Sequence, residues 1–294
     1  MKITIGIPSY NEESNILNLL NVISKDCYEI IIADDSNDNT PYLISKFASS
    51  IDKPVRLIHN NIRLGAYNAW NNIFKHARGD VIVLYDADVY PLSNTTRLLV
   101  SCINDRVGLV VGNPLSIDKL NIAALASSFN AKWARWMRRL MLSKYTTIGR
   151  ALAIRSDIAK RIRIPDVISI DLYLQCKVIE AGYDIVYNDD AKVFFKPAQN
   201  PRDFLLQVRR AVKGHRELSA LIKKTGMNPN PLKFLLASLI SIFTDPLGFF
   251  SASLLYLSYP FYSHLLKDDS YRWIIANSTK YLEQEVIFHK LRKL

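Results

Sequence analysis

Four short β-rich runs alternate with four helix-like runs over the first third of the chain, and this alternation limits the fold more than any other feature. The pairs are "KITIGIPSY" with "EESNILNLLNVI", "EIIIADD" with "TPYLISKFASS", "PVRLIHN" with "AYNAWNNIFKHA", and "DVIVLYDAD" with "TTRLLVSCI". Near-continuous apolar runs such as Val81–Tyr85 suit strands buried on both faces. A βαβ series of this kind predicts an α/β fold: a Rossmann-like, mostly parallel sheet with helices on both faces. Thr40 followed by Pro41 reads as a helix start, with a hydroxyl N-cap and proline at the first helical position. In such sheets ligands bind outside the carboxyl ends of the strands, where the acidic clusters of this chain fall.

Beyond residue 119 the pattern predicts a long helix from about Leu120 to Leu142, a turn at Gly149, and a basic helix near Phe204–Lys224. The run Phe234–Leu266 carries one formal charge, Asp245, and is a membrane candidate. Its second part, Pro246–Leu266, matches the roughly 20 residues that a transmembrane helix needs. Pro260, recurrent serines and the Asp245–Pro246 break favour instead a hairpin or a surface helix pair on the cytoplasmic side. The expected organisation is a domain over residues 1–225, divided at 118/119 into two halves, and an apolar helical tail over 226–294.

Of the 294 residues 49% are hydrophobic, enough for a full core. Cys27, Cys102 and Cys176 lie far apart, which argues against a disulfide framework or a zinc site. "MKITIGIPSY" runs into the first strand pattern with no signal-like apolar run, so the domain is expected in the cytoplasm, at the inner face of the cell membrane. The formal charge of +11 is uneven: residues 1–128 carry 11 basic and 13 acidic side chains, residues 129–225 carry 20 and 9, and residues 226–294 carry 7 and 5. Such a basic middle suits nucleic acid, an anionic membrane or phosphorylated ligands. No Walker loop, GxGxxG, helix-turn-helix or RNA-binding signature accompanies it, so nucleic acid is not the expected partner and a non-catalytic basic binding protein is the rival from another class.

Four motifs end the strands: "IPSYNEE", "ADDSNDNT", "NNIRLGAYNAWN" and "DAD". Asp86 and Asp88 sit one residue apart on the same side of an extended chain, so two negative charges meet unless a cation or a proton relieves them. In this order and spacing the four motifs resemble the family-2 glycosyltransferases of the GT-A fold, over roughly the first 220 residues. The resemblance implies that Pro8, Tyr10 and Glu12 line a nucleotide pocket and that Asp34 or Asp35 holds the base or ribose. It also implies that Asp86 and Asp88 bind Mn or Mg against the diphosphate of a nucleotide-sugar donor. Arg63 is a donor-side candidate, and equally an ordinary arginine beside a glycine turn.

"ISIDLYLQCKVIEAGYDI" resembles the family segment in which a Glu-Asp pair precedes a helix ending in Ala-Gly-Tyr, with Ile170 replacing the glutamate. Asp171 is thereby the expected catalytic base for an acceptor hydroxyl; the other reading is an N-cap for a helix starting near Leu172. Gln207 and Arg210 in "LLQVRRAVKGHRE" match the QxxRW signature of many membrane-linked members, with Ala211 in place of tryptophan, which weighs against processive synthesis. An arginine there can brace a departing diphosphate; an amphipathic helix with a solvated basic face is the alternative. In "FNAKWARWMRRLML" aromatics at helical spacing alternate with Lys132, Arg135, Arg138 and Arg139, which fits either an interfacial helix or a core helix with charged flanks. His59, His76, His215, His264 and His289 show no ligand spacing. The expected activity is inverting, metal-dependent sugar transfer to a hydroxyl of a lipid-linked or glycan acceptor; a polyprenyl-phosphate sugar synthase is the second enzymatic reading.

Overall fold

The computed structural model describes residues 1–117, 121–141, 149–227, 230–262 and 277–280. The expected alternation is realised as β1 (Ile3–Ser9), α1 (Ile16–Ile23), β2 (Glu29–Asp34), α2 (Thr40–Ala48), β3 (Val55–His59), α3 (Ala66–His76), β4 (Val81–Tyr85), β5 (Val89–Pro91) and α4 (Thr95–Ser101). There follow β6 (Val107–Ser116), α5 (Ile122–Met141), β7 (Ala151–Arg155), α6 (Ser156–Ala159), α7 (Ile170–Glu180) and β8 (Asp184–Phe195). The remaining helices are α8 (Pro201–Glu217), α9 (Ser219–Lys224), α10 (Pro231–Thr244) and α11 (Pro246–Tyr262).

One eight-stranded sheet runs in the order β3-β2-β1-β4-β7-β6-β8-β5, so it crosses the 118/119 division. Parallel ladders join β3, β2, β1 and β4, and also β6 with β8. β7 is antiparallel to both neighbours and β5 is antiparallel to β8. The parallel half follows the strand alternation. Ile30 and Ile32 pack with Leu19, Leu20 and Ile44 on one face, while Ile31 and Ala33 pack with Trp70 and Phe74 on the other. Each such aliphatic side chain contributes about 1.5–3 kcal/mol on burial.

Two details differ from the sequence expectations, and for α5 the core-helix alternative holds. Asn39, not Thr40, stands at the N-cap position of α2, and Thr40 is instead fully buried with its hydroxyl accepting the Glu12 amide at 2.9 Å. The basic helix near residues 204–224 is two helices meeting at Leu218. α5 is a platform rather than a free interfacial helix. Its Trp133 ring lies 5.5 Å from Phe234 of α10 and its Lys132 pairs with Asp245 at 2.6 Å. Arg135 pairs with Asp189 of β8 at 2.9 Å, Arg139 joins the same carboxylate, and Arg138 is buried beside the Tyr187 ring.

The tail packs on this platform: Phe129, Phe204, Ala252 and Leu255 share one apolar cluster. Asp245 accepts the Gly248 amide at 3.0 Å, so the residue that splits the apolar run also caps α11. No single described helix is long and apolar enough to cross a membrane; α10 and α11 together meet that test of length and composition, bent by 114°. The possible crossing over Pro246–Leu266, like His264 and His289, extends outside the described residues.

Candidate active site

A cavity of about 340 Å³ opens where the strand ends meet, and most residues singled out in the sequence line it. The first wall is the turn after β1. Asn11 adopts φ +52°, its amide donates to the Ser36 hydroxyl at 2.7 Å, and its side-chain oxygen accepts the Asn37 amide at 2.8 Å. With the Glu12–Thr40 bond, these contacts lace the loops after β1 and β2 together and present Pro8, Tyr10 and Glu12 to the cavity. The Arg63 guanidinium stacks 4.5 Å from the Tyr10 ring centroid. Burial, then the Asp88 charge, pushes the Glu12 carboxyl up to about 8, against the opposing pull of Lys280 and Asn15.

The Asp34/Asp35 pair divides its work. Asp35 lines the cavity and accepts the amides of Leu64 and Gly65 at 2.8 and 2.9 Å, fixing the entry to α3, where Gly65 takes φ +92°. Asp34, the other donor-side candidate, does not line the cavity. As the last residue of β2 it is fully buried, held by His59 at 2.8 Å and by the Ser36 amide and hydroxyl. It braces the loop instead.

Asp86 and Asp88 follow β4, both half-buried and both lining the cavity. Burial, then Asp88, raises the Asp86 carboxyl to about 6. Arg150 grips the pair from the β7 side: its carbonyl accepts the Asp86 amide at 3.1 Å and its Nη1 lies 3.7 Å from Asp88 Oδ1. The guanidinium itself rests 3.8 Å from the Phe195 ring centroid. Burial and the mutual repulsion of the acidic groups thus hold Asp86 and Glu12 above the usual carboxylate range. Among the described residues no group of three or more His, Cys, Asp or Glu side chains is arranged to hold a metal by itself. Two carboxylates in a cavity with room for phosphate oxygens do fit Mg or Mn, which usually take one or two carboxylates plus substrate phosphates.

On the opposite wall, α7 starts at Ile170, two residues earlier than expected, so Asp171 lies in its first turn and is not its cap. Its carboxylate accepts the Leu172 amide at 2.9 Å. Burial raises the Asp171 carboxyl, and the Leu172 amide, Arg210 and His215 act the other way. Gln207 and Arg210 reach the same cavity from α8. α8 approaches this closely because Gly214 faces Ser169, where a Cβ would overlap the serine side chain.

The sequence reading missed Arg150, Trp70 and Lys280, which also line the cavity. Arg150 follows the Gly149 turn and takes φ +78°, a conformation that no local motif announces. Trp70 reads as one more apolar position of α3. Lys280 is remote in sequence from everything it touches.

The chain is similar to known glycosyltransferases in sequence and in fold. Over 205 residues it is 31% identical to the probable glycosyltransferase YdaM of Bacillus subtilis, a match covering 63% of this chain and 48% of that protein. It is 34% identical over 121 residues to the undecaprenyl-phosphate 4-deoxy-4-formamido-L-arabinose transferase of Pseudomonas fluorescens, covering 38% of this chain and 36% of that protein. The match thus spans about half of these relatives' length or less. The mannosyltransferase PcManGT from Pyrobaculum calidifontis, solved in complex with GDP-Man and Mn2+, superposes with a TM-score of 0.60 over 87% of this chain and 74% of that one, at 21% identity, which shows the GT-A fold. The model of the family described as Glycosyl transferase family 2 matches residues 4–160, from β1 through the Asp86/Asp88 pair to α6, and the chain belongs to that family.

Proposed function

We propose that this chain moves a sugar from a nucleotide-sugar donor to an acceptor hydroxyl presented at the cytoplasmic face of a membrane. One observation carries the reading: Asp86, Asp88, Asp171, Arg150 and Arg210 converge on a single cavity at the carboxyl edge of the sheet. Tyr10, Glu12 and Asp35 form its nucleotide side, with Arg63 stacked on Tyr10. Asp86 and Asp88 would hold Mn or Mg, which as a Lewis acid stabilises charge on a departing diphosphate. The donor-bound complex of PcManGT with Mn2+ supports the choice of a divalent ion.

The protein's own groups account for the remaining chemistry. Asp171 takes the proton of the acceptor hydroxyl as its oxygen bonds to the anomeric carbon and the bond to the diphosphate breaks; a single displacement of this kind inverts the centre. Burial raises the Asp171 carboxyl, which favours that role, while Arg150 and Arg210 favour the anionic leaving group. The exposed apolar residues of α10 and α11, among them Leu232, Phe243, Leu247, Leu257 and Phe261, would rest in the bilayer surface and bring a lipid-linked acceptor to the cavity.

A second reading has an observation of its own. Arg150 and Arg210 both line the cavity, so it also suits an acceptor that is already anionic, such as a polyprenyl phosphate. The undecaprenyl-phosphate transferase among the relatives points the same way. Screening nucleotide sugars for Mn- or Mg-dependent release of nucleoside diphosphate tests the common part, and no release with any of them would overturn it. Asp171→Asn then separates the acceptors: it abolishes transfer to a hydroxyl and spares transfer to a phosphate.

A further inference from the structure

The proposed chemistry uses none of Asn277–Lys280, yet the end of this segment reaches the cavity. Thr279 is buried, and both it and Lys280 line the donor side. Lys280 Nζ donates to the carbonyl oxygens of Tyr10 at 2.6 Å and Asn11 at 2.9 Å, and lies 3.3 Å from Glu12 Oε1. Three ammonium protons thus meet three oxygens of one turn, the geometry that a lysine head can satisfy completely. The same ammonium is 5.3 Å from the Tyr10 ring centroid, so that ring has two cations near it, Lys280 and Arg63.

The segment is tied at both sides. The Ser278 amide donates to Asp203 Oδ2 at 2.8 Å, and the Ser278 hydroxyl accepts the Gln199 amide at 3.0 Å. Asp203 belongs to the first turn of α8, the helix that carries Gln207 and Arg210. At the other side the Asn15 side chain donates to the Lys280 carbonyl. The four residues therefore bridge the start of α8 to the turn bearing Tyr10, Asn11 and Glu12, a turn in which Asn11 holds a left-handed conformation that its neighbours must impose.

We propose that Lys280 is a positioning residue of the donor site: it fixes the Tyr10–Glu12 turn in its nucleotide-facing form and couples that turn to α8. This rests on the reading that Tyr10 and Glu12 face the nucleotide. Lys280 acts through the turn and does not itself contact the reacting atoms.

The full chain with Lys280→Ala and Lys280→Arg tests it in two ways. Hydrogen exchange reads the Asn11 and Glu12 amides, which donate to Ser36 and Thr40 in the folded turn. Lys280→Ala is expected to speed their exchange about tenfold, the usual scale for loss of a charge-assisted bond. Binding of UDP and of GDP in the presence of MnCl2 gives the second readout. Here Lys280→Ala is expected to weaken whichever nucleotide binds the wild type by about tenfold, with donor KM rising and kcat within about threefold. Lys280→Arg keeps the charge but not the three-point fit, and falls between the two. Unchanged exchange in Lys280→Ala, or a fall in kcat with KM intact, overturns the proposal. If neither nucleotide binds the wild type, the donor reading fails, and the exchange measurement still decides whether Lys280 holds the turn.

Discussion

Gly214→Ala probes the close approach on which the acceptor wall depends. A Cβ at residue 214 would lie 2.8 Å from Ser169 Cβ and closer still to its hydroxyl, so either α8 or the start of α7 has to move. Overpacking of this kind costs about 1–3 kcal/mol, and replacing glycine by alanine inside a helix offsets about 1 of that. The net loss of stability is at most about 2 kcal/mol, a fall in Tm of at most about 3 °C for a chain of 294 residues. The effect on turnover is larger, because Asp171 lies two residues after Ser169 and Arg210 one helical turn before Gly214. A displacement on the order of 1 Å between such groups costs about a hundredfold in rate. Ser169 makes no side-chain capping bond to α7, so Ser169→Gly removes the obstacle without removing a cap. Thermal denaturation and steady-state transfer are compared for Gly214→Ala and for the double variant Ser169→Gly/Gly214→Ala. The expected pattern is a slow, folded single variant and recovery of most activity in the double. Wild-type turnover in Gly214→Ala, or no recovery in the double, would refute the reasoning.

Asp88→Asn is expected to weaken Mn-dependent nucleotide binding and to abolish turnover, since a neutral amide replaces a charged oxygen donor; isothermal titration with MnCl2 and nucleotide checks it. Asp171→Asn is expected to leave nucleotide affinity within about threefold while cutting transfer to a hydroxyl by at least about a hundredfold, measured under donor saturation. Asp86, raised to about 6, and Glu12, raised to about 8, bind protons more readily in the folded chain than in the unfolded one, so metal-free stability should fall as pH rises from about 4 to 8. Tm recorded across that range is expected to decline, with a shallower slope in Asp86→Asn and the largest rescue by Mn at the alkaline end.

The parallel half of the fold was legible because each strand carries its own pattern: Val81, Val83 and Tyr85 turn to one face, Ile82 and Leu84 to the other. The carboxyl-edge rule placed the acidic clusters at the site, and the family resemblance supplied the roles of the residues there. The choice between Asp34 and Asp35 was not legible, since alternation stops with β2 and the loop then decides which carboxylate faces the cavity. Arg150 was hidden because its role comes from a left-handed backbone beside an antiparallel strand, and β7 carries no mark of its direction in sequence. Lys280 was hidden by distance along the chain, since all the oxygens it binds belong to the turn after β1.

The basic middle of the chain points to an anionic partner by composition, and part of that charge is engaged within the fold. Lys132 pairs with Asp245, Arg135 and Arg139 with Asp189, Arg155 with Asp157, and Lys177 and Lys224 with Glu180. Arg138 is buried, and Arg150 and Arg210 face the cavity. If the chain meets a membrane, the exposed apolar residues of α10 and α11 supply an attraction that salt does not screen. Phe243 is 82% exposed and Leu257 73% exposed, and burying each in the lipid surface contributes about 1.5–3 kcal/mol. Phe243→Glu/Leu257→Glu should therefore weaken binding to phosphatidylcholine vesicles by at least about a hundredfold. Binding of the wild type should persist in 1 M NaCl, where exposed charges are screened beyond about 3 Å. Vesicle flotation at low and high salt distinguishes the two sources of attraction. Release of the wild type by salt, together with retention of the double variant at low salt, would assign the contact to the basic residues and remove α10 and α11 from it.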